Sequence, residues 1–327
     1  MGKKTPLVYI LAASHSGSTL LAMLLGSHPE ICTVGELKAT SLGDTDQYLC
    51  SCRRRIKVCP FWIGVKKEMS MRGFDFDITR AGTDFRSGAT PYAVRLLAPL
   101  QRGSLLELIR DAALGLSSHW RSHLQRVQAL NTALIDSLRA SSRKRIIVDS
   151  SKVGIRLKFL LRNPNLDVRV VRLIRDGRAV SLTYIDPTRF ADATDPEFRG
   201  GGTGGDRDSE RLAVAQAARE WRRSNEEADA ILRRLDPTRW TAVRYETLCD
   251  DPRGTLNRIF SLIGVSDQWN VIENFRSVEH HIIGNGMRLD STNKIKFDDR
   301  WKSALNESDL KVFESTAGRL NRRLGYN

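Results

Sequence analysis

No segment of this chain approaches the length of a transmembrane helix, which argues against membrane insertion. No internal repeat is present, which removes solenoid and propeller architectures. Acidic residues are in deficit: 38 Asp and Glu face 52 Lys and Arg, a formal charge of +14. That excess favours anionic ligands, whether a charged nucleotide, an acidic glycan, a membrane surface or nucleic acid. The charge is dispersed, however, through Arg53 to Arg55, Arg143 to Arg145 and the arginine pairs at 222–223, 233–234 and 322–323. With no recognisable nucleic-acid motif beside them, these read as solvated faces, and no nucleic-acid partner is expected. Lys3 and Lys4 precede a short apolar run, but cleavage behind it would remove a strand that the next segment needs. A cytoplasmic protein is therefore expected.

What the chain does have is a strand, a turn and a helix in residues 8–21. Val8 to Ala13 is apolar, Ser14 to Thr19 is built of small residues around His15, and Leu20 and Leu21 open an apolar helix. In such a unit the backbone N–H groups and the positive helix N-terminus converge on an anion, and Gly17 permits close approach. This is not a Walker A loop: Ala12 stands at the first glycine and Ser18 at the lysine, which disfavours an ordinary ATP or GTP site. A plain helix entry capped by Ser16 or Ser18 is the alternative reading. A second unit runs from Val168 to Arg175 as a buried strand and from Asp176 to Tyr184 as the start of a helix. Arg175 offers a planar fork of donors suited to phosphate, and Thr183 adds a hydroxyl within two helical turns.

Two phosphate sites on successive strand–helix units are what 3′-phosphoadenosine 5′-phosphosulfate, PAPS, requires, and here the chain resembles the PAPS-dependent sulfotransferase family. His15 to Leu20 is similar to the family's 5′-phosphosulfate loop, and Arg175 to Thr183 to its 3′-phosphate motif, with threonine replacing serine. Val243 to Pro252, followed by Thr255 to Gly264, is similar to the third strand and helix, whose tyrosine approaches the adenine; that role falls to Tyr245. Gly284 to Arg288, with Trp301 downstream, resembles the C-terminal lid of the bacterial and carbohydrate-type branches, and Arg288 is the candidate for the arginine that closes on the cofactor. The resemblance covers roughly residues 7–37, 145–185 and 240–325. It implies a P-loop-like three-layer α/β sandwich with a mostly parallel central sheet and a helical cap. The cofactor-binding residues it implies are Ser14, His15, Ser16, Gly17, Ser18, Thr19, Leu20, Arg175, Ser181, Thr183, Tyr245 and Arg288.

The position before Ser-Gly is usually lysine or arginine in this family, where it meets charge on the bridging oxygen or the sulfuryl group. Here it is His15, whose charge is conditional on pH. Lys152, closing the predicted strand Val148 to Lys152, is the expected second cation, with a solvated strand-end lysine as the alternative. Glu36 is the expected base for the acceptor hydroxyl; pairing with His15 or Lys152 is its other reading, and Asp149 and His28 are further candidates. The reaction implied is in-line transfer from PAPS to a hydroxyl of a small-molecule or saccharide acceptor, without a metal and without a covalent enzyme intermediate. A P-loop-like kinase or NTPase and an inactive PAP-binding module are the competing functions.

Three of five cysteines, Cys50, Cys52 and Cys59, fall within ten residues and lead into Pro-Phe-Trp. Zinc with a distant fourth ligand, a disulfide, and plain reduced thiols on a surface loop are the readings, the last being the expectation. His119 and His123 share a helical face, but the Glu-x-x-His or His-Glu-x-x-His context of a metal helix is absent. Periodicity places strands near 7–13, 31–35, 145–149, 168–174 and 240–245, alternating with helices. The expected organisation is one domain over residues 1–327, with 60–140 a helical cap and 186–208 a flexible loop beside the acceptor.

Overall fold

The computed structural model describes residues 4–38, 42, 44–97, 104–193, 195–203, 207–267, 273, 275, 280–290 and 294–327. The chain enters through β1 (Thr5–Ala12), turns into α1 (Ser18–Gly26) and forms the short β2 (Ile31–Thr33). Four helices follow: α2 (Pro60–Met71), α3 (Pro91–Leu96), α4 (Ser104–Leu116) and α5 (Ser118–Ser142). Next come β3 (Ile146–Lys152), α6 (Gly154–Leu161), β4 (Leu166–Ile174), α7 (Gly177–Ile185), α8 (Pro187–Phe190) and α9 (Val214–Leu232). The last strand, β5 (Trp240–Arg244), is followed by α10 (Tyr245–Asp250), α11 (Pro252–Ile263), α12 (Trp301–Ala304), α13 (Glu307–Phe313) and α14 (Arg319–Arg323).

The five strands form one sheet in the order β2-β3-β1-β4-β5, every neighbour parallel. A parallel sheet must be covered on both faces, which is why β1 reads as an unbroken apolar run. Its alternate residues serve two cores. Leu7, Tyr9 and Leu11 join a cluster with residues of α2, α5, α6 and α9, whereas Val8, Ile10 and Ala12 meet α1 and α11. A smaller cluster of Val180, Ala218, Trp221 and Phe313 ties α7 and α9 to the C-terminal helices. The chain thus leaves β1 onto one face and leaves β3 and β4 onto the other, which opens a crevice at the carboxyl end of β1.

The expected strands are all present, with ends moved by a few residues. β3 runs three residues past the end that periodicity places near 149, taking in Ser150 and Ser151, and closes on Lys152 as expected. An irregularity between Tyr9 and Leu11 lets Lys152 pair with Leu11. Within 60–140, α5 is a core layer: Leu134, Ile135 and Leu138 pack in the same cluster as Leu7 and Tyr9. The 186–208 segment contains α8 and a 3-10 stretch at Pro196–Gly201, while residues 204–206 lie outside the described residues. No described helix is long and apolar enough to cross a membrane.

Candidate active site

The loop between β1 and α1 is shaped for an anion. His15 (φ 62°) and Gly17 (φ 88°) both occupy the left-handed region, a backbone arrangement that turns amides inward to form an anion-binding nest. Gly17 is also the N-cap of α1 and supplies no side-chain hydrogen bond, so no capping side chain answers the amides of the first turn. A Cβ at position 17 would lie 2.4 Å from the Tyr245 ring. Glycine is therefore required both by conformation and by space. Ser16 Oγ is buried with no partner among the described residues, and the same holds for Ser181 Oγ on α7. Orphaned hydroxyls around an uncapped helix start are the features a bound phosphate or phosphosulfate would satisfy, so the residues present fit PAPS. Ser18 and Thr19 are buried in the first turn, and Thr19 Oγ1 accepts from the Asn285 amide at 3.0 Å.

Arg175, at the end of β4, reaches back to this loop. Its Nη1 donates to the His15 carbonyl at 2.9 Å, and its guanidinium lies 4.4 Å from the centre of the Tyr245 ring. Nη2 donates to the backbone carbonyl of Asp298 at 3.0 Å and to its Oδ2 at 2.9 Å. Burial pushes the Asp298 carboxyl up, but hydrogen bonds from Arg300 and Arg175 outweigh it and hold the group well below its usual range. Nearby, Thr183 Oγ1 donates to Ala179 O at 3.1 Å, which leaves its lone pairs for a further donor.

His15 sits edge-on to Tyr184 at 4.6 Å between ring centres. Burial, then the charges of Arg207, Lys152 and Arg175, lower its pKa well below 6.5, so the ring is neutral near pH 7. It offers a hydrogen bond, not a fixed charge. Lys152 (φ 68°) pairs with Glu36 in a mostly buried ion pair. Of the two roles considered for Glu36, this contact realises the pairing.

Lys152 and Ser14 open into a cleft of about 200 Å³ lined also by Lys38, Arg86, Tyr184, Arg223 and Glu227. Several residues in or near the site escaped the sequence reading, among them Glu227 in this cleft and Arg207 near His15. Glu227 has its pKa raised, mainly by burial, and Arg207 places a charge near His15. Both come from segments without a motif. For Glu227 the only sequence signal was the amphipathic α9, whose alternation marks a face without saying what that face meets.

The remaining candidates have structural occupations. Asp149 is fully buried and accepts from Arg156 Nε at 2.9 Å and from the Leu37 and Ser151 amides. Such a carboxylate is spent on the fold and is not a free base. His28 accepts from the Glu30 amide on Nδ1 at 3.1 Å and bonds Ser266 O through Nε2 at 3.0 Å, which makes it a buried strut. Arg288, 3 % exposed, donates through Nη1 to the carbonyls of Leu49 and His281. It clamps two loops together. The cysteine segment is likewise not a surface loop: Cys50 and Cys59 are wholly buried, and His280 faces them. His119 is exposed while His123 is buried against Phe85 O at 3.0 Å.

A parallel α/β sandwich with an anion loop after its central strand is the class that fold and site define. A model of the sulfotransferase family matches residues 110–270, from α4 to just beyond α11, taking in the Arg175 unit. Among solved structures, the sulfotransferase domain from the Synechococcus PCC 7002 olefin synthase is similar with a TM-score of 0.50 and 20% identity, over 96% of this chain and 95% of that one. The sulfotransferase domain from the curacin biosynthetic pathway gives 0.52 and 17% over 100% and 99%. No curated protein matches the chain. The resemblance to the sulfotransferase family is thus borne out: the family model carries it in sequence, and the solved structures share the fold.

Proposed function

We propose that this protein transfers a sulfuryl group from PAPS to a hydroxyl of a small-molecule or saccharide acceptor. The observation that carries the reading is the hydrogen bond from Arg175 to the His15 carbonyl, which joins two anion-binding units 160 residues apart into one site. Bound PAPS would supply the activated sulfuryl group. The amides and hydroxyls of residues 16–20 hold its 5′ end, and Tyr245, close against Gly17, lines the way to the adenine. Arg175 and Ser181 take the 3′-phosphate, with Arg175 exchanging the Asp298 carboxylate for it; Thr183 joins them by turning its hydroxyl hydrogen from the Ala179 carbonyl to a phosphate oxygen. Neutral His15 donates a hydrogen bond where charge develops, and Lys152 and Arg207 supply the fixed charge that relatives draw from a lysine or arginine. The cleft beside Lys152 and Ser14 takes the acceptor, whose basic lining favours an acceptor bearing an anionic group. Positioning and charge stabilisation carry the rate.

The neutral state of His15 favours one second reading, a module that binds PAP, the desulfated product, without turnover. Calorimetric titration with PAP, with ATP plus magnesium for comparison, tests the first half. Tight, metal-independent PAP binding is expected, and Arg175→Ala should weaken it by on the order of 2–5 kcal/mol, with Arg175→Lys between the two. Preference for ATP would overturn the reading. Labelled PAPS with a panel of acceptors then separates the enzyme from the silent module.

A further inference from the structure

Outside the phosphate site, the structure gathers Cys50, Cys52, Cys59 and His280 so that one ligand atom from each lies within 4.8 Å of the others. We propose that these four residues form a structural zinc site. Sequence spacing offers only the three thiols; the imidazole comes from 221 residues beyond Cys59.

The distances match a tetrahedron. With Zn–S near 2.3 Å and Zn–N near 2.0–2.1 Å, the edges of a tetrahedral site are about 3.8 Å between sulfurs and about 3.6 Å from sulfur to nitrogen. Cys52 Sγ lies 3.7 Å from Cys59 Sγ, and His280 Nδ1 lies 3.8 Å from Cys50 Sγ and 3.4 Å from Cys59 Sγ. All five cysteines are free thiols. Three sulfurs and one imidazole are the donor set of a closed Cys3His zinc site, and they leave no position for a substrate.

The backbone is built around the same point. Arg53 in the left-handed region closes a tight turn in which its amide bonds Cys50 O at 2.8 Å and Arg54 O accepts from Cys50 at 2.9 Å. Cys59 is the N-cap of α2, where a thiolate gains from the helix dipole. The His280 ring is stacked on Phe61 at 4.5 Å and 2°, which fixes its orientation. Ser51 and His281 exchange hydrogen bonds beside it, at 3.2 and 2.8 Å. Binding converts three thiols to thiolates and releases their protons to solvent, giving a complex of net charge −1 beside Arg53, Arg54 and Arg55.

The metal fastens the 49–59 turn to the 280–288 strap, whose Asn285 amide reaches Thr19. It acts on the fold and takes no part in the chemistry.

Metal analysis of the whole protein, purified with reductant and without chelator, tests this. One zinc per chain is expected, retained in Cys32→Ser and Cys249→Ser and falling below a tenth in Cys52→Ser and His280→Ala. Should those two variants fail to fold, cobalt titration of the demetallated wild type decides: the visible absorption of tetrahedral cobalt thiolate, saturating at one equivalent, supports the site. Cobalt or zinc binding below a tenth of an equivalent in the reduced wild type would overturn it. So would equal reactivity of the cysteines toward a thiol reagent with zinc and with chelator.

Discussion

At His15 a hydrogen-bonding ring stands where relatives carry a fixed charge, and its state follows from its neighbours. Burial, Arg207, Lys152 and Arg175 all oppose protonation in the folded chain, so the unfolded chain binds the proton more readily. Any stability linked to this group is complete above the ordinary value of 6.5 and drains away as pH falls below it. Melting temperatures from pH 7.5 to 5 should therefore fall more steeply for wild type than for His15→Asn, a residue that tolerates the left-handed backbone. Parallel curves would sink the argument. Turnover, by the same logic, should not rise between pH 8 and 6. The two carboxylates near the cleft divide by their contacts: Glu36 is held close by Lys152, whereas Glu227 is partly buried, meets Arg223 at a longer 3.6 Å and has a raised pKa. Glu227→Gln should lower kcat by about 10²–10⁴-fold if it takes the acceptor proton. Glu36→Gln should act mainly by freeing Lys152, so a larger kcat loss in Glu36→Gln would return the base to the position read from sequence.

Elements here are joined by buried charge as well as by apolar packing. Arg156 on α6 binds Asp149 of β3, donates to Thr83 O at 2.7 Å and to Asn131 Oδ1 of α5 at 2.8 Å. One guanidinium thus holds a strand, two helices and a loop, all with side chains nearly without exposure. Removing one partner strands the other charge, which costs about 3–5 kcal/mol. Asp149→Asn should show a loss of that size in the unfolding free energy from denaturant titration, with PAP affinity of the folded fraction unchanged; a near-neutral Asp149→Asn would show that the network contributes nothing net. The strands were legible from apolar stretches such as Leu7–Ala12 and Ile146–Val148, which a parallel sheet buried on both faces requires, although Asp167, Arg169 and Arg172 interrupt β4. The helices of 60–140 were harder to place, since an amphipathic stripe on α5 does not say whether sheet or pocket lies beneath it.

Over the whole molecule, legibility ended where contacts are distant in sequence. The loop at 14–20 and the Arg175 helix carry local patterns, so their chemistry could be read before any coordinates. Asp298 against Arg175, Glu227 beside the cleft and His280 among the cysteines have no local pattern, and only folding makes them neighbours. Arg288 shows the converse case: its motif was visible, but both carbonyls that occupy it, Leu49 and His281, are set by loop packing. The place of β1 in the sheet order has a consequence for how the protein is made. β1 is synthesised first, yet its two partners, Ile146–Lys152 and Leu166–Ile174, come more than 130 residues later. At about 5–20 residues per second, an apolar segment that ends up at the centre of the fold waits roughly seven to thirty seconds on the ribosome for a strand to pair with. The part of the chain that builds the nucleotide loop is thus the part most exposed to chaperones, proteases and aggregation during birth.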